Sequence, residues 1–152
     1  EIGVGMRDLV RLVAQYGLEL HGSYLGEDER GFYSPTEQRI YFDMRLTYCE
    51  RRATIAHELG HFHHNHDCST RANERQADAY AAGLLIDPQE YAALERINPD
   101  QHFLADELDV TERAVDSHIK NLRRKMNQAQ AGSEWIRSVY GVGFVLEEPP
   151  KD

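Results

Sequence analysis

The chain has 152 residues, of which 41% are hydrophobic and 28% charged, and its formal net charge at pH 7 is −9. This length suffices for one ordinary domain, or for a compact domain with a small appendage. No apolar run approaches the ~20 residues of a membrane span, and the negative charge argues against non-specific nucleic-acid binding by the whole molecule. No secretory signal pattern is visible, so we expect a cytoplasmic protein in which Cys49 and Cys68 are reduced thiols.

The charge is distributed unevenly along the chain. Residues 111–152 contain seven Lys or Arg and six Asp or Glu, whereas residues 1–110 contain ten and twenty. The acidic part and the nearly neutral tail are therefore expected to have different roles. We place the boundary after residue 87, with a core over 1–87 and a helical C-terminal region over 88–152.

The N-terminal pattern predicts one helix and a small sheet. An amphipathic helix is expected over 4–16, with Gly17 as its stop. Residues 18–25 and 31–44 have the composition of strands, and the second stretch predicts a hairpin whose loop is 35–38. We therefore expect a small antiparallel sheet.

Two helices are predicted next. Thr47 and Glu50 have the spacing of a capping box, which predicts a helix from Thr47 through His61. Its expected buried stripe consists of Ile55, Leu59 and Phe62. A second, alanine-rich helix is expected over about 70–86.

Three further helices are predicted from their start signals. Asp87 and Pro88 suit the cap and first position of one helix, and Asn98-Pro99 repeats this pattern before a helix over about 99–108. Thr111 is expected to cap the next helix after a turn of about three residues. This is the spacing of a helix-turn-helix.

The C-terminal end predicts a wing. Residues 127–134 form a polar linker, and residues 135–147 favour two short strands around Gly141 and Gly143. The overall expectation is an α+β fold with a helix-turn-helix and a β-hairpin wing at its C-terminal end.

The stretch 57–66 reads HELGHFHHNH and contains five of the chain's eight histidines. His57 and His61 are four residues apart on a helix, so one face can present both imidazoles to one metal ion. A catalytic zinc site prefers three protein ligands and a water molecule, which a neighbouring carboxylate can deprotonate. Glu58 is the expected general base.

The next helix offers the third ligand in the stretch NERQADAYAAGLL, residues 73–85. Glu74 and Asp78 are one helical turn apart, so both can face the metal. We predict Glu74 as a zinc ligand and Asp78 as the carboxylate that accepts from the other ring nitrogen of a ligating histidine, such as His57.

The roles of the other histidines in this stretch stay open. His63, His64 and His66 lie near the helix end, where a solvated position or a supporting role is expected. One of them could stabilise the oxyanion of a hydrolytic reaction, as could Tyr33 or Tyr80.

The stretches 39–66 and 73–86 resemble the ImmA/IrrE family of zinc metallopeptidases, and the resemblance covers about residues 4–110. It implies a zincin-like α+β fold. It also implies His57, His61 and Glu74 as zinc ligands with Glu58 as general base, in agreement with the spacing. Members of this family cleave or inactivate regulators, typically helix-turn-helix repressors of mobile elements, prophages or stress responses. The implied reaction is peptide-bond hydrolysis, and we expect an edge strand such as 39–43 to hold the extended substrate.

The tail resembles the recognition helix and wing of OmpR/PhoB-type output domains, although the small sheet that opens such domains has no room here. The resemblance implies a reduced winged helix. Its candidate contacts to nucleic acid or a partner are Arg113, Lys120, Arg123, Arg124, Lys125 and Arg137. Alternatively the tail packs on the core through Val115, Ile119, Leu122 and Trp135, or it docks the substrate repressor.

Two function classes follow from these patterns. One is a zinc endopeptidase that acts on a transcriptional repressor. The other is a DNA- or protein-binding regulatory module whose zinc is structural. Glu58 separates them, because a structural site has no use for a free carboxylate beside the ion.

Overall fold

The computed structural model describes residues 3–129, 136–138 and 144–146. Within this part of the chain the architecture is α+β, with six helices, a three-stranded sheet and a two-stranded hairpin. The elements are α1 (Met6–Gln15), β1 (Glu19–Ser23), β2 (Gly31–Ser34), β3 (Arg39–Asp43), α2 (Tyr48–His63), α3 (Arg71–Leu85), α4 (Pro88–Ile97), α5 (Gln101–Leu108), α6 (Glu112–Ala129), β4 (Ile136–Ser138) and β5 (Phe144–Leu146). None of the described helices is long and apolar enough to span a membrane.

The three-stranded sheet is mixed rather than antiparallel. The predicted hairpin is confirmed, since β2 and β3 pair antiparallel across the loop 35–38, but β1 pairs with β3 in parallel. Side-chain alternation predicts that a segment is a strand. It contains no information about which strand it pairs with, or about whether the pairing is parallel or antiparallel.

The strand order is β1-β3-β2, which places β3 in the centre of the sheet. The expectation that residues 39–43 form an edge strand is therefore wrong. Both sides of β3 already form backbone hydrogen bonds with neighbouring strands, so none remains for an extended ligand. The free edges of this sheet belong to β1 and β2.

The predicted capping box begins α2, with the Glu50 amide 3.3 Å from Thr47 Oγ1 and the Thr47 amide 2.9 Å from Glu50 Oε1.

Helices α2 and α3 pack unusually closely. Further along, a Cβ added to Gly60 would lie 2.8 Å from the Cα of Ala77 on α3. Only a residue without a side chain allows the two backbones to approach to this distance.

The C-terminal helices follow the predicted order with one shifted start. The fifth helix begins at Gln101, because Asp100 is its cap and accepts from the Phe103 amide, so the expected start at residue 99 is wrong by two residues. Thr111 caps α6 by accepting from the Ala114 amide. Three residues separate α5 from α6, as predicted for a helix-turn-helix.

The predicted wing is partly described. Strands β4 and β5 pair antiparallel, whereas Trp135, Gly141, Gly143 and the Arg137 side chain lie outside the described part of the chain. Helix α6 extends to Ala129, so the first three residues of the predicted linker are helical.

One hydrophobic core joins the two predicted regions. Its fully buried members include Leu9, Ile55 and Leu59 from the first region and Leu104 and Val115 from the second. The boundary after residue 87 stays a prediction.

A buried arginine crosses the same boundary. Arg52 is only 5% exposed, and its guanidinium donates to the backbone carbonyls of Val4 and Asp109. Helix α2 is thereby tied to the N-terminal segment and to the turn between α5 and α6.

Candidate metal centre

The centre begins with two histidines on successive turns of α2. The rings of His57 and His61 lie 4.8 Å apart, and their Nε2 atoms are 3.2 Å from each other. Ligand atoms of His57, Glu58 and His61 all lie within 4.8 Å of one another. The helical spacing of the motif thus brings three potential metal ligands to one point.

Helix α3 brings Glu74 to the same point. Its Oε1 lies 3.1 Å from His57 Nε2, and its Oε2 lies 3.0 Å from His61 Nε2. The hydroxyl of Ser69 donates to Glu74 Oε2 over 3.1 Å, which holds the carboxylate in this orientation. The structure therefore brings together the three residues that the sequence predicted as zinc ligands.

The donor set fits a tetrahedral zinc ion. Two atoms bound to one such ion at about 2.0–2.1 Å are about 3.3 Å apart. The three distances between the two Nε2 atoms and the Glu74 oxygens are 3.0 to 3.2 Å. Two imidazoles and a carboxylate are also the ligand types of a catalytic zinc site with an open fourth position.

Asp78 supports His57 as the sequence predicted. Its Oδ1 lies 2.8 Å from His57 Nδ1, so Nδ1 carries the proton and the lone pair of Nε2 is directed toward the ligand cluster. Burial is the largest influence on the pKa of His57 and lowers it, but the hydrogen bond to Asp78 and the nearby carboxylates raise it above the usual value.

His66 supports His61, which is one of the two roles that the sequence left open for it. His66 Nδ1 lies 2.9 Å from His61 Nδ1, and His66 Nε2 lies 2.7 Å from the Gln76 side-chain oxygen. If Gln76 accepts from Nε2, then His66 Nδ1 accepts from the Nδ1–H of His61. The Nε2 atom of His61 is thereby left free to bind a metal.

The C-terminal turn of α2 places His66 in this position. Asn65 has a φ of 55°, and its amide donates to the Phe62 carbonyl while the His66 amide donates to the His61 carbonyl. These two bonds define a Schellman motif. Asn65, which follows the last helical turn, is the feature of the sequence that could have predicted this reversal of the chain.

Glu58 is the most enclosed member of the cluster. It is only 7% exposed, and burial raises its pKa to about 7, an effect that the charge of His57 and the Tyr33 backbone N–H oppose. It lines a cavity of about 740 Å³ together with His57, Glu74 and Asp78. A carboxyl group with a pKa near neutrality can both accept and release a proton under physiological conditions.

The rings of the other aromatic candidates do not line this cavity, although the Tyr33 backbone N–H donates to Glu58. His63 stacks on Tyr80 with ring centroids 4.7 Å apart, and Tyr80 contributes to a different groove on α3. Tyr33 packs its ring edge against Phe62. Neither tyrosine ring lines the cavity beside Glu58.

Among the basic residues of α6, Lys120, Arg123 and Arg124 line one groove, whereas Arg113 reaches the metal centre. Arg113 bonds to Asp78, Lys120 pairs with Asp116, and Arg124 donates to the Asn121 side chain. The exposed basic residues of α6 are Arg113, Lys120, Arg124 and Lys125, whereas Arg123 is half-buried.

Comparisons with known families agree with both parts of this description. The model described as the IrrE N-terminal-like domain, a peptidase family, matches residues 20–120, and the chain therefore belongs to this family. A second model, described as the C-terminal part of transcriptional regulatory proteins, matches residues 100–146. Both predicted resemblances are confirmed, and the two matches share residues 100–120.

Individual relatives are transcriptional regulators. BaeR of Escherichia coli is 54% identical over 46 residues, which are 30% of this chain and 19% of BaeR. QseB of Escherichia coli is 36% identical over 77 residues, covering 43% of this chain and 32% of QseB. The chain thus spans less than a third of each curated relative.

A solved structure shares the fold. A Mycobacterium tuberculosis transcriptional regulator superposes with a TM-score of 0.62 at 18% identity, covering 75% of this chain and 40% of that chain.

Proposed function

We propose that this protein is a zinc-dependent endopeptidase with a zincin-like core that hydrolyses a peptide bond in a transcriptional regulator. The observation that carries this proposal is the arrangement of four side chains. His57, His61 and Glu74 converge within 3.2 Å, while buried Glu58 adjoins them in a cavity of about 740 Å³.

Each residue has a distinct part in the proposed reaction. His57, His61 and Glu74 would hold the zinc ion, which would supply a Lewis acid and lower the pKa of the attacking water to about 7. Glu58 accepts a proton from that water and delivers it to the leaving amine, so one carboxyl group serves first as base and then as acid. Asp78 holds the tautomer and orientation of His57 while this happens.

The free edge of β2 is the proposed place for the substrate backbone. Gly31, at the start of β2, lines the same cavity as Glu58, and β2 pairs on only one side. An extended peptide could therefore add to this edge as a further strand. This replaces residues 39–43, which lie in the sheet centre.

A transcriptional repressor is the proposed substrate class. Membership in the IrrE N-terminal-like family supports a peptidase, and the match of residues 100–146 to transcriptional regulators supports a role in regulation. A zinc-loaded enzyme would act by removing the repressor from its operator.

The test compares wild type with Glu58→Gln, and with Glu27→Gln as a control that alters an exposed carboxylate outside the cavity. The number of zinc ions per chain is measured by elemental mass spectrometry. Cleavage is measured on a library of peptides from a digested bacterial proteome, by counting new N-termini.

We expect about one zinc per chain in all three proteins, and cleavage reduced by at least about 100-fold in Glu58→Gln alone. Equal cleavage by wild type and Glu58→Gln would reject Glu58 as the base. Zinc binding without any cleavage by wild type would favour a regulatory module with structural zinc.

DNA contact through α6 and the hairpin is the second candidate function. It is favoured by the match to the C-terminal region of transcriptional regulators and by the exposure of Lys120, Arg124 and Lys125. Binding to a 30-base-pair duplex should weaken with salt, and replacement of Arg124 by Gln should lower the salt slope by about 1 if it contacts a phosphate. A slope unchanged in this variant would contradict the contact.

A further inference from the structure

Arg113, in the first turn of α6, reaches the metal centre. Its terminal nitrogen lies 2.8 Å and its Nε 3.3 Å from Asp78 Oδ2. The other carboxylate oxygen, Oδ1, lies 2.8 Å from His57 Nδ1. Asp78 is thus held from both sides, by a histidine of α2 and by an arginine of α6.

Helix α6 is held against α3 at more than one point. The side-chain amide of Asn121 donates to the backbone carbonyl of Ala79 over 3.0 Å, two turns after Arg113. Between these two contacts α6 buries Val115 and Ile119 in the core. The position from which Arg113 reaches Asp78 is therefore defined by packing.

The first turn of α6 also forms a wall of the cavity beside Glu58. Thr111, Arg113, Ala114 and Ser117 all line it. These residues lie within the stretch 100–120 that matches both the peptidase family and the transcriptional regulators. The helix expected to contact DNA therefore faces the metal centre with its N-terminal end.

We propose that Arg113 is a positioning residue of the metal centre, which fixes the Asp78 carboxylate so that His57 presents Nε2 to the metal. This inference rests on the proposed zinc site. Its physical basis is orientation, because the planar guanidinium contacts one carboxylate oxygen through two nitrogens and restricts rotation of the group. Arg113 is 71% exposed, so solvent screens most of the direct attraction between the charges.

A consequence is that the metal centre is completed from α6, within the stretch 100–120 that matches both families. Helices α2 and α3 supply His57, His61, Glu74 and Asp78, and α6 supplies the group that orients Asp78. Removing α6 from α3 would release this carboxylate.

The experiment measures metal binding in the full chain. Wild type, Arg113→Gln, Arg113→Lys, Asp78→Asn and the double variant Asp78→Asn/Arg113→Gln are titrated with zinc against a chelator. The visible spectrum of each protein loaded with cobalt(II) reports the ligand geometry. Lys120→Gln, which removes an exposed cation of the same helix paired with Asp116, is the matched control.

We expect zinc affinity to fall by about 10- to 100-fold in Arg113→Gln and Asp78→Asn, with an altered cobalt spectrum. Arg113→Lys should recover part of the loss, and Lys120→Gln should resemble wild type. The double variant should bind no more weakly than Asp78→Asn, because Arg113 acts through Asp78. A purely structural role would instead make the two losses multiply.

The outcomes separate this inference from the proposed function. Wild-type affinity and spectrum in Arg113→Gln, together with weakened binding in Asp78→Asn, would overturn the role of Arg113 and leave the zinc site intact. Multiplying losses in the double variant would overturn it as well. A wild-type protein that binds neither metal would overturn the proposed function itself.

Discussion

His66 Nδ1 lies 2.9 Å from His61 Nδ1, on the side of the His61 ring that faces away from Glu74. His66 therefore orients a predicted metal ligand instead of adding to the cluster as a fourth one. The chain reversal at Asn65 brings His61 and His66, which are five residues apart in the sequence, into contact.

Replacing His66 by Ala should lower zinc affinity by about 10-fold or more, because His61 loses the partner that selects its tautomer. His102→Ala is the control, since His102 is exposed on α5 and its ring is hydrogen-bonded to Glu112 instead of to a residue of the cluster. Competition with a chelator measures both affinities. A cobalt(II) spectrum typical of four protein ligands in the wild type, lost in His66→Ala, would instead make His66 a direct ligand.

Gly60→Ala should destabilise the protein and weaken metal binding. The added methyl group would lie 2.8 Å from the Ala77 Cα and 2.9 Å from the Ala77 carbonyl oxygen, so α2 and α3 must separate. Such overpacking costs about 1–3 kcal/mol, and separation of the helices moves Glu74 away from both histidines. The free energy of unfolding in urea and the zinc affinity measure the two effects.

Gly83→Ala on α3 is the matched comparison for this variant. A Cβ at Gly83 meets no atom within 4 Å, so alanine should stabilise the helix by about 0.5–1 kcal/mol. Equal effects of the two substitutions would contradict the close approach at Gly60.

The buried His118 should make stability depend on pH. Burial, reinforced by Lys125, lowers the pKa of His118 to about 4, and its Nε2 has no hydrogen-bond partner among the described residues. Between about pH 6.5 and pH 4 the unfolded chain therefore binds a proton that the native protein does not. The free energy of unfolding should fall through this window as the pH is lowered, by at most about 3 kcal/mol.

His118→Phe removes the titrating group and keeps a ring against Tyr91, whose centroid lies 4.5 Å from that of His118. Urea unfolding at pH 7.5, 5.5 and 4.5 should show a shallower pH dependence in the variant. Parallel curves for the two proteins would show that His118 takes up a proton as readily in the native protein as in the unfolded chain.

Arg52→Met should lower the free energy of unfolding by about 2–4 kcal/mol, because the carbonyls of Val4 and Asp109 lose their buried donor. Arg96→Met is the control on exposed α4 surface and should change stability by less than about 0.5 kcal/mol. Thermal and urea unfolding of both variants measure the difference. A similarly small loss of unfolding free energy in both variants would mean that water takes over the hydrogen bonds of the Arg52 guanidinium.

The features that the sequence determined by itself are those set by local geometry. Helical periodicity places His57 and His61 on one face, and the same four-residue spacing pairs Glu74 with Asp78. The Thr47–Glu50 capping box and the 31–44 hairpin likewise depend on contacts between near neighbours along the chain. Each of these predictions depends only on contacts within one helix or one hairpin, which the spacing of residues along the chain determines.

Only the tertiary structure decided the relationships between distant segments. The parallel pairing of β1 with β3, the His66–Gln76 contact and the reach of Arg113 to Asp78 join residues that no short-range pattern connects. They arise from how the helices and strands bury a shared apolar surface, which brings distant polar groups to fixed positions. Spacing along the chain thus predicted which side chains meet at the candidate metal centre, whereas packing of α6 and of the α2 end selected the residues that contact them from outside.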